Sequence, residues 1–190
     1  DDYTGRATVP VLWDEATDTI VSNESADIVR MFNTAFADQV PETVDLYPED
    51  LRLQIDAWNP EIYDQLNNGV YKAGFASTQL AYDEAVAGVF AMLDRLEDAL
   101  QGPFLFGDRV TETDIRLFVT LIRFDAAYHG LFKTNLRRIA DYPRLTAFLR
   151  QMLALPGVRE TVNLDHIKAG YYSIKALNPS GIVPAGPDHV

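Results

Sequence analysis

Not one cysteine occurs in these 190 residues. Disulfides and thiolate metal sites within the chain are thereby excluded, and so is a thiol nucleophile of its own. The redox compartment is left open. Basic residues are scarce: 16 Lys and Arg stand against 28 Asp and Glu, for a formal net charge of −12. An acidic surface repels phosphate backbones, so nucleic acid is not an expected partner. No apolar run approaches the ~20 residues that cross a bilayer, so no membrane is expected either. The opening Asp-Asp-Tyr-Thr-Gly-Arg places no basic stretch ahead of an apolar core and reads as no secretory signal. Glycine-rich phosphate loops and the Gly-x-Ser-x-Gly elbow are missing. The three histidines, His129, His166 and His189, lack the i, i+4 spacing of a helical metal site, and no carboxylate cluster completes one, so no metal is expected.

What is present is an ordinary globular composition, 47% hydrophobic and 23% charged. One stretch runs against the acidic balance: Arg116, Arg123, Lys133, Arg137, Arg138 and Arg144 outnumber Asp125 and Asp141. It is either a solvated face or a local attractor for an anionic ligand.

The run Thr8–Trp13 is short, apolar and β-rich. A polar turn from Asp14 to Thr19 and a second short strand at Ile20-Val21 complete a hairpin. Pro10 confines the first strand to a short or edge position. A helix over Asn23–Phe36 follows, capped by Ser22 or Asn23, with Ile28, Val29, Met31, Phe32 and Phe36 on one stripe. After a loop to Pro48, every further element reads as helical. Glu49–Leu66 is expected to bend or break at Pro60. Thr78–Leu100 is the longest clean pattern, ended by Gly102-Pro103. Thr111-Glu-Thr-Asp114 forms a capping box, flanked by Val110 and Ile115, at the head of a helix to about Tyr128. Pro143–Leu155 is another helix, and a short one is expected after Pro156. The tail beyond Asn178 reads as extended. Two strands do not make a stable sheet alone. The first 36 residues therefore look like the end of an α/β domain that begins elsewhere.

Two features suit chemistry. Val9-Pro10, in a cis arrangement, turns a backbone amide outward, and Glu24-Ser25 opens a helix whose N-terminus suits a carboxylate. Together they fit a peptide-like anion; the plainer alternative is an edge-strand proline and an ordinary cap. Tyr71, in a glycine-flanked stretch, Tyr128 at a helix end, and the pair Tyr171 and Tyr172 are the second feature. A phenol stabilises a nearby thiolate or hands a proton to a leaving carbanion; it also serves as half-buried packing.

Six runs, in order, carry a resemblance: Thr-Val-Pro-Val-Leu-Trp-Asp (8–14), Ser-Asn-Glu-Ser-Ala-Asp-Ile-Val-Arg-Met-Phe-Asn (22–33), Asn-Asn-Gly-Val-Tyr-Lys-Ala-Gly-Phe-Ala (67–76), Asn-Leu-Arg-Arg-Ile-Ala-Asp-Tyr-Pro (135–143), Glu-Thr-Val-Asn-Leu-Asp-His-Ile-Lys (160–168) and Asn-Pro-Ser-Gly-Ile-Val-Pro (178–184). The chain resembles the Xi-class glutathione transferases, also called glutathionyl-hydroquinone reductases, over essentially its whole length. That resemblance implies a mostly α fold: an all-helical glutathione-transferase C-terminal domain, residues 41–190 with an extended tail, preceded over residues 1–40 by the last hairpin and helix of a thioredoxin-like α/β domain. It implies glutathione as co-substrate, no metal, aromatic hydroquinone-type partners, a homodimer and a cytoplasmic setting. By position, Arg6, Ala7, Thr8, Val9 and Pro10 would line glutathione, with Glu24 and Ser25 at its γ-glutamyl end. Tyr71 resembles the proton donor to the departing aromatic carbon, and Tyr128 and Tyr171 the hydroxyls that lower the nucleophile's pKa, with Tyr172 adjacent. Phe75 and Phe132 suit a flat aromatic or plain core packing. The family's nucleophilic cysteine, expected upstream, is not in this chain, and Ser-Ile-Lys follows Tyr172 where members often carry a histidine. The alternatives are a non-catalytic binding module and a transferase that conjugates general electrophiles.

Overall fold

The computed structural model describes residues 8–39 and 44–187. The chain divides into two compact units, Asp1–Glu49 and Asp50–Val190; the boundary expected between residues 40 and 41 lies outside the described residues.

In the first unit, β1 (Leu12–Asp14) pairs antiparallel with β2 (Thr19–Ser22). The Asp14 side chain accepts the Ala16 backbone N–H at 2.8 Å and so closes the turn. The first strand starts two residues after Pro10, later than the apolar run suggested, as an amide without N–H dictates. Helix α1 spans Ser25–Thr34. Its N-cap is Glu24, not Ser22 or Asn23, because the Ser22 hydroxyl is occupied accepting the Glu24 N–H at 3.1 Å. Residues 44–47 fold back on α1: Leu46 N–H donates to Asn33 Oδ1 at 2.7 Å, and the Arg30 guanidinium lies 4.1 Å from the Tyr47 ring centroid.

The second unit is helical, with seven α-helices among the described residues: α2 (Arg52–Ile62), α3 (Gly69–Gly74), α4 (Gln79–Ala99), α5 (Glu112–Arg123), α6 (His129–Leu131), α7 (Pro143–Ala154) and α8 (Leu164–Tyr172). Pro60 sits inside α2 without breaking it. Burial of Ile55 and Ile62, and of Asn59 hydrogen-bonded to Glu112 and Thr113 on α5, offsets the ~3 kcal/mol that an internal proline costs. The irregularity falls just beyond, where Tyr63–Asn67 winds as a π turn and Asn68 N–H reaches back to Tyr63 O at 2.8 Å. A second π turn, Phe124–Tyr128, splits the helix expected to run unbroken to Tyr128. The 3₁₀ turn Arg159–Thr161 and the longer α8, capped by the Asn163 side chain, replace the short helix expected after Pro156.

The capping box at Thr111 forms as read. Asp114 is buried, accepts the Thr111 N–H at 2.8 Å, and takes the Leu105 N–H at 2.9 Å, pinning the preceding loop. Leu93, Leu96, Leu117, Leu121, Phe124 and Phe148 close one core. Two helices meet tightly where Gly74, ending α3, faces the fully buried Phe132. A Cβ there would stand 2.4 Å from the ring, so glycine sets this approach.

Candidate functional site

Tyr71 lies mid-way along the two-turn helix α3, Tyr128 closes the second π turn, and Tyr171 sits in the last turn of α8. These elements bring the three phenols together. The Tyr71 and Tyr171 hydroxyl oxygens are 2.6 Å apart, and those of Tyr128 and Tyr171 are 2.7 Å apart. Tyr171 is therefore the middle member of a hydroxyl chain. Its ring meets that of Tyr128 edge-on at 5.2 Å, and Phe132 fills the space behind, 5.2 Å from the Tyr71 ring. Tyr172 is not part of the chain; its hydroxyl lies on the other side, against Gly130.

Burial pushes the phenol of Tyr128 well above its ordinary range, with the hydroxyls of Tyr171 and Tyr71 adding to the effect. Tyr171 is pushed up to about 12, again chiefly by burial. Both phenols thus keep their protons at neutral pH. Three O–H groups share two hydrogen bonds, which leaves one proton for a further acceptor. Tyr128 is almost fully buried and Tyr71 is the most open of the three. A proton given up at Tyr71 or Tyr171 can be drawn from the hydroxyl behind it.

The chain opens onto a cavity of about 610 Å³ between α5 and α8. Phe118, Val119 and Ile122 form one wall; Val162, Ile167 and Ile174 form the other. Three polar residues interrupt this apolar lining: Arg123, Asn163 and His166. Sequence reasoning assigned none of them to a site. Arg123 appeared there only within a basic stretch, and the Asn163 cap was the signal that would have located α8 and its cavity-facing residues. Phe75 stacks edge-on against Phe132 at 5.6 Å and is not in the cavity lining.

In the first unit, the Val9-Pro10 peptide is cis and Val9 is almost fully exposed. Asn23 Nδ2 donates to Thr8 Oγ1 at 3.4 Å, tying this segment to the approach of α1. No side chain caps α1, so the first-turn N–H groups that begin at Ser25 face outward from a helix end carrying partial positive charge. Arg6 and Ala7 lie outside the described residues. Among the described residues no group of three or more His, Asp or Glu is placed to hold a metal ion, and no helix is long and apolar enough to cross a membrane.

Comparison with known proteins agrees with this architecture. Residues 79–151 match the family model of the glutathione S-transferase C-terminal domain. The glutathionyl-hydroquinone reductase YqjG of Escherichia coli (strain K12) is 56% identical over 187 residues, covering 97% of this chain and 57% of that relative. A glutathione-bound structure of YqjG superposes with a TM-score of 0.93, over 97% of this chain and 61% of the other. The crystal structure of glutathione transferase Xi 1 from Trametes versicolor superposes with a TM-score of 0.93 at 52% identity, over 99% of this chain and 67% of that one. The chain thus spans well under two thirds of the length of the curated relatives it matches. With the helical unit, the hairpin and the tyrosine chain in place, this sequence belongs to the Xi class of glutathione transferases, the family of the glutathionyl-hydroquinone reductases.

Proposed function

We propose that the protein to which these 190 residues belong reduces glutathionyl-hydroquinones with glutathione, using a cysteine that lies outside them. The thiolate attacks the sulfur of the adduct. The new enzyme–glutathione S–S bond forms as the sulfur–aryl bond breaks, and the electron pair left on the ring carbon takes up a proton, releasing the hydroquinone. A second glutathione thiolate then attacks the mixed disulfide, giving oxidised glutathione and the free enzyme thiolate. Each cycle oxidises two glutathione equivalents, one of them delivered as the adduct, and reduces one aryl–sulfur bond.

The observation that carries this reading is the Tyr71–Tyr171–Tyr128 hydroxyl chain, with one undonated proton, at the edge of an apolar cavity. Tyr71, the most open member, delivers the proton to the ring carbon. Tyr171 and Tyr128 resupply it and offer hydrogen bonds to the thiolate, which lowers its pKa. In the first unit, the Val9 backbone beside Pro10, with Arg6, Ala7 and Thr8, lines glutathione. Glu24 and Ser25 take the γ-glutamyl end, the latter by the uncapped helix start. The domains run as residues 1–40 and 41–190, and the protein works as a cytoplasmic homodimer; the resemblance to the class supports these three points.

Mass spectrometry of the full-length protein tests the scheme. Incubation with a glutathionyl-hydroquinone is expected to add one glutathione, which reduction removes. No adduct, and no hydroquinone released, would sink it. In the same protein Tyr71→Phe is expected to slow hydroquinone release by roughly 10²–10⁴, the worth of a positioned proton donor. An unchanged rate would take Tyr71 out of the mechanism.

A further inference from the structure

Most cations in the basic stretch from Arg116 to Arg144 are engaged by the protein itself. Arg116 lies 3.6 Å from Glu112, Arg137 is 2.6 Å from Asp94, and Arg138 is 2.8 Å from Asp141. The Arg144 guanidinium donates to the carbonyls of Glu97 and Asp98 at 3.0 and 3.2 Å. Arg123 differs. Its guanidinium donates to the carbonyl of Val119, one turn back on α5, and no carboxylate among the described residues pairs with it. It half-emerges into the 610 Å³ cavity, whose lining contains no Asp or Glu. Its positive charge lies near enough to the Tyr171 hydroxyl to act on that phenol's ionisation, which fixes it at the tyrosine end. In a chain of net charge −12, a cation left without a counter-charge on an apolar wall sets the sign of the local field. Such a wall screens that charge less than water does.

Asn163 and His166 line the same cavity. The Asn163 oxygen is used in capping α8, where it accepts the His166 N–H at 3.0 Å, and its amide N–H₂ remains available to donate. The polar groups of this cavity are thus mainly donors, around one fixed positive charge and a flat apolar slot.

We propose that Arg123 is a specificity-determining residue that selects aromatic substrates bearing an anionic substituent, a ring carboxylate above all, by pairing with that group while the ring lies between α5 and α8. This rests on the cavity taking the aromatic half of the adduct, as in the function proposed above. A neutral ring fills the same apolar slot and leaves the guanidinium to water; a carboxylated ring gains a charge-assisted hydrogen bond.

The matched probes are 2,5-dihydroxybenzoate and its methyl ester, which share a ring and differ by one charge at neutral pH. Their dissociation constants for the full-length protein are measured by calorimetry without oxygen. Wild type is expected to bind the acid about tenfold more tightly than the ester, in line with hydrogen bonds to charged groups. Arg123→Gln is expected to bring the acid-to-ester ratio near one, and Arg123→Lys to keep part of the preference. No preference in wild type, or a preference unaltered in Arg123→Gln, overturns the proposal. Turnover of the two corresponding glutathionyl adducts, followed alongside, judges the reductase scheme by itself. If neither adduct is consumed that scheme falls, and the ratio of dissociation constants still decides the role of Arg123.

Discussion

Helix α4 buries Val86, Val89, Phe90, Met92, Leu93 and Leu96, whereas β1, β2 and α1 together bury only Ile28. Both regions have clean local patterns, yet Trp13, Ile20, Val21 and Phe32 of the first unit remain 42–58% exposed. The contrast separates two things that a pattern encodes. Periodicity and turn chemistry are local and form a hairpin or a helix wherever they occur. Closure of a core needs partner layers, and a two-stranded ribbon with one helix supplies too few. The helices α2 to α8 supply each other's, so the second unit is the one whose stability can be read from its own contacts.

The sharpest test of that contrast pairs two phenylalanines. Phe124→Ala, at a fully buried site, is expected to cost about 3–5 kcal/mol. Phe32→Ala, with its ring 58% exposed and only Phe36 beside it at 5.6 Å, is expected to cost under about 1 kcal/mol in the 190-residue chain. Urea unfolding followed by circular dichroism reads both, and equal costs would break the comparison. Repeating Phe32→Ala in the full-length protein asks whether further layers cover that ring.

Next in size is a pair of glycines within the helical unit. Gly74→Ala forces a methyl against Phe132 and is expected to cost about 1–3 kcal/mol, as overpacking does. Gly88→Ala, on α4 with open space around the new carbon, is expected to stabilise by up to about 1 kcal/mol. Thermal melts that move the same way for both would show that α3 and α6 are not held as tightly as the model indicates.

The smallest effect is electrostatic. Bonds from Arg138 hold the Asp141 carboxyl down to about 2, below its ordinary 3.8. Its contribution is therefore present above pH about 3.8 and lost as pH falls toward 2. Burial raises Asp114 instead, so its effect has the opposite sign: present below 3.8, and lost as pH rises through its elevated value. Arg138→Ala is expected to flatten the acid limb of the melting temperature slightly. Asp114→Asn is expected to make that limb steeper, because it removes the group that opposes it. Melts between pH 2 and 6 check both slopes.

Much of the fold was legible because its signals are short-range. The Thr111-to-Asp114 box, the long stripe of α4 and the proline opening α7 all depend on neighbours within four residues. The two π turns were not legible, since one extra residue in a turn is set by tertiary packing and leaves no compositional mark. Helix α8 escaped for a different reason: it buries no residue fully, so its stripe is weak, and Pro156-Gly157 drew attention to the wrong turn. The tyrosines of the candidate site were named from the resemblance, while Arg123 and His166 were not, because a cavity wall is assembled from residues distant along the chain.

The two π turns carry a last consequence, one of length and not of substitution. Each α-helical residue advances the winding by about 100°, so a single residue taken out of Tyr63–Asn67 restores an ordinary helix and swings everything after it by that angle. Tyr71 lies four residues beyond the first turn, and Tyr128 is the last residue of the second. Point changes within these turns leave the phenols facing one another; the loss of one codon does not. The spacing of these tyrosines is thus protected against the kind of mutation that loops absorb freely, and insertions or deletions in relatives are expected to fall between the helices and to spare these two turns.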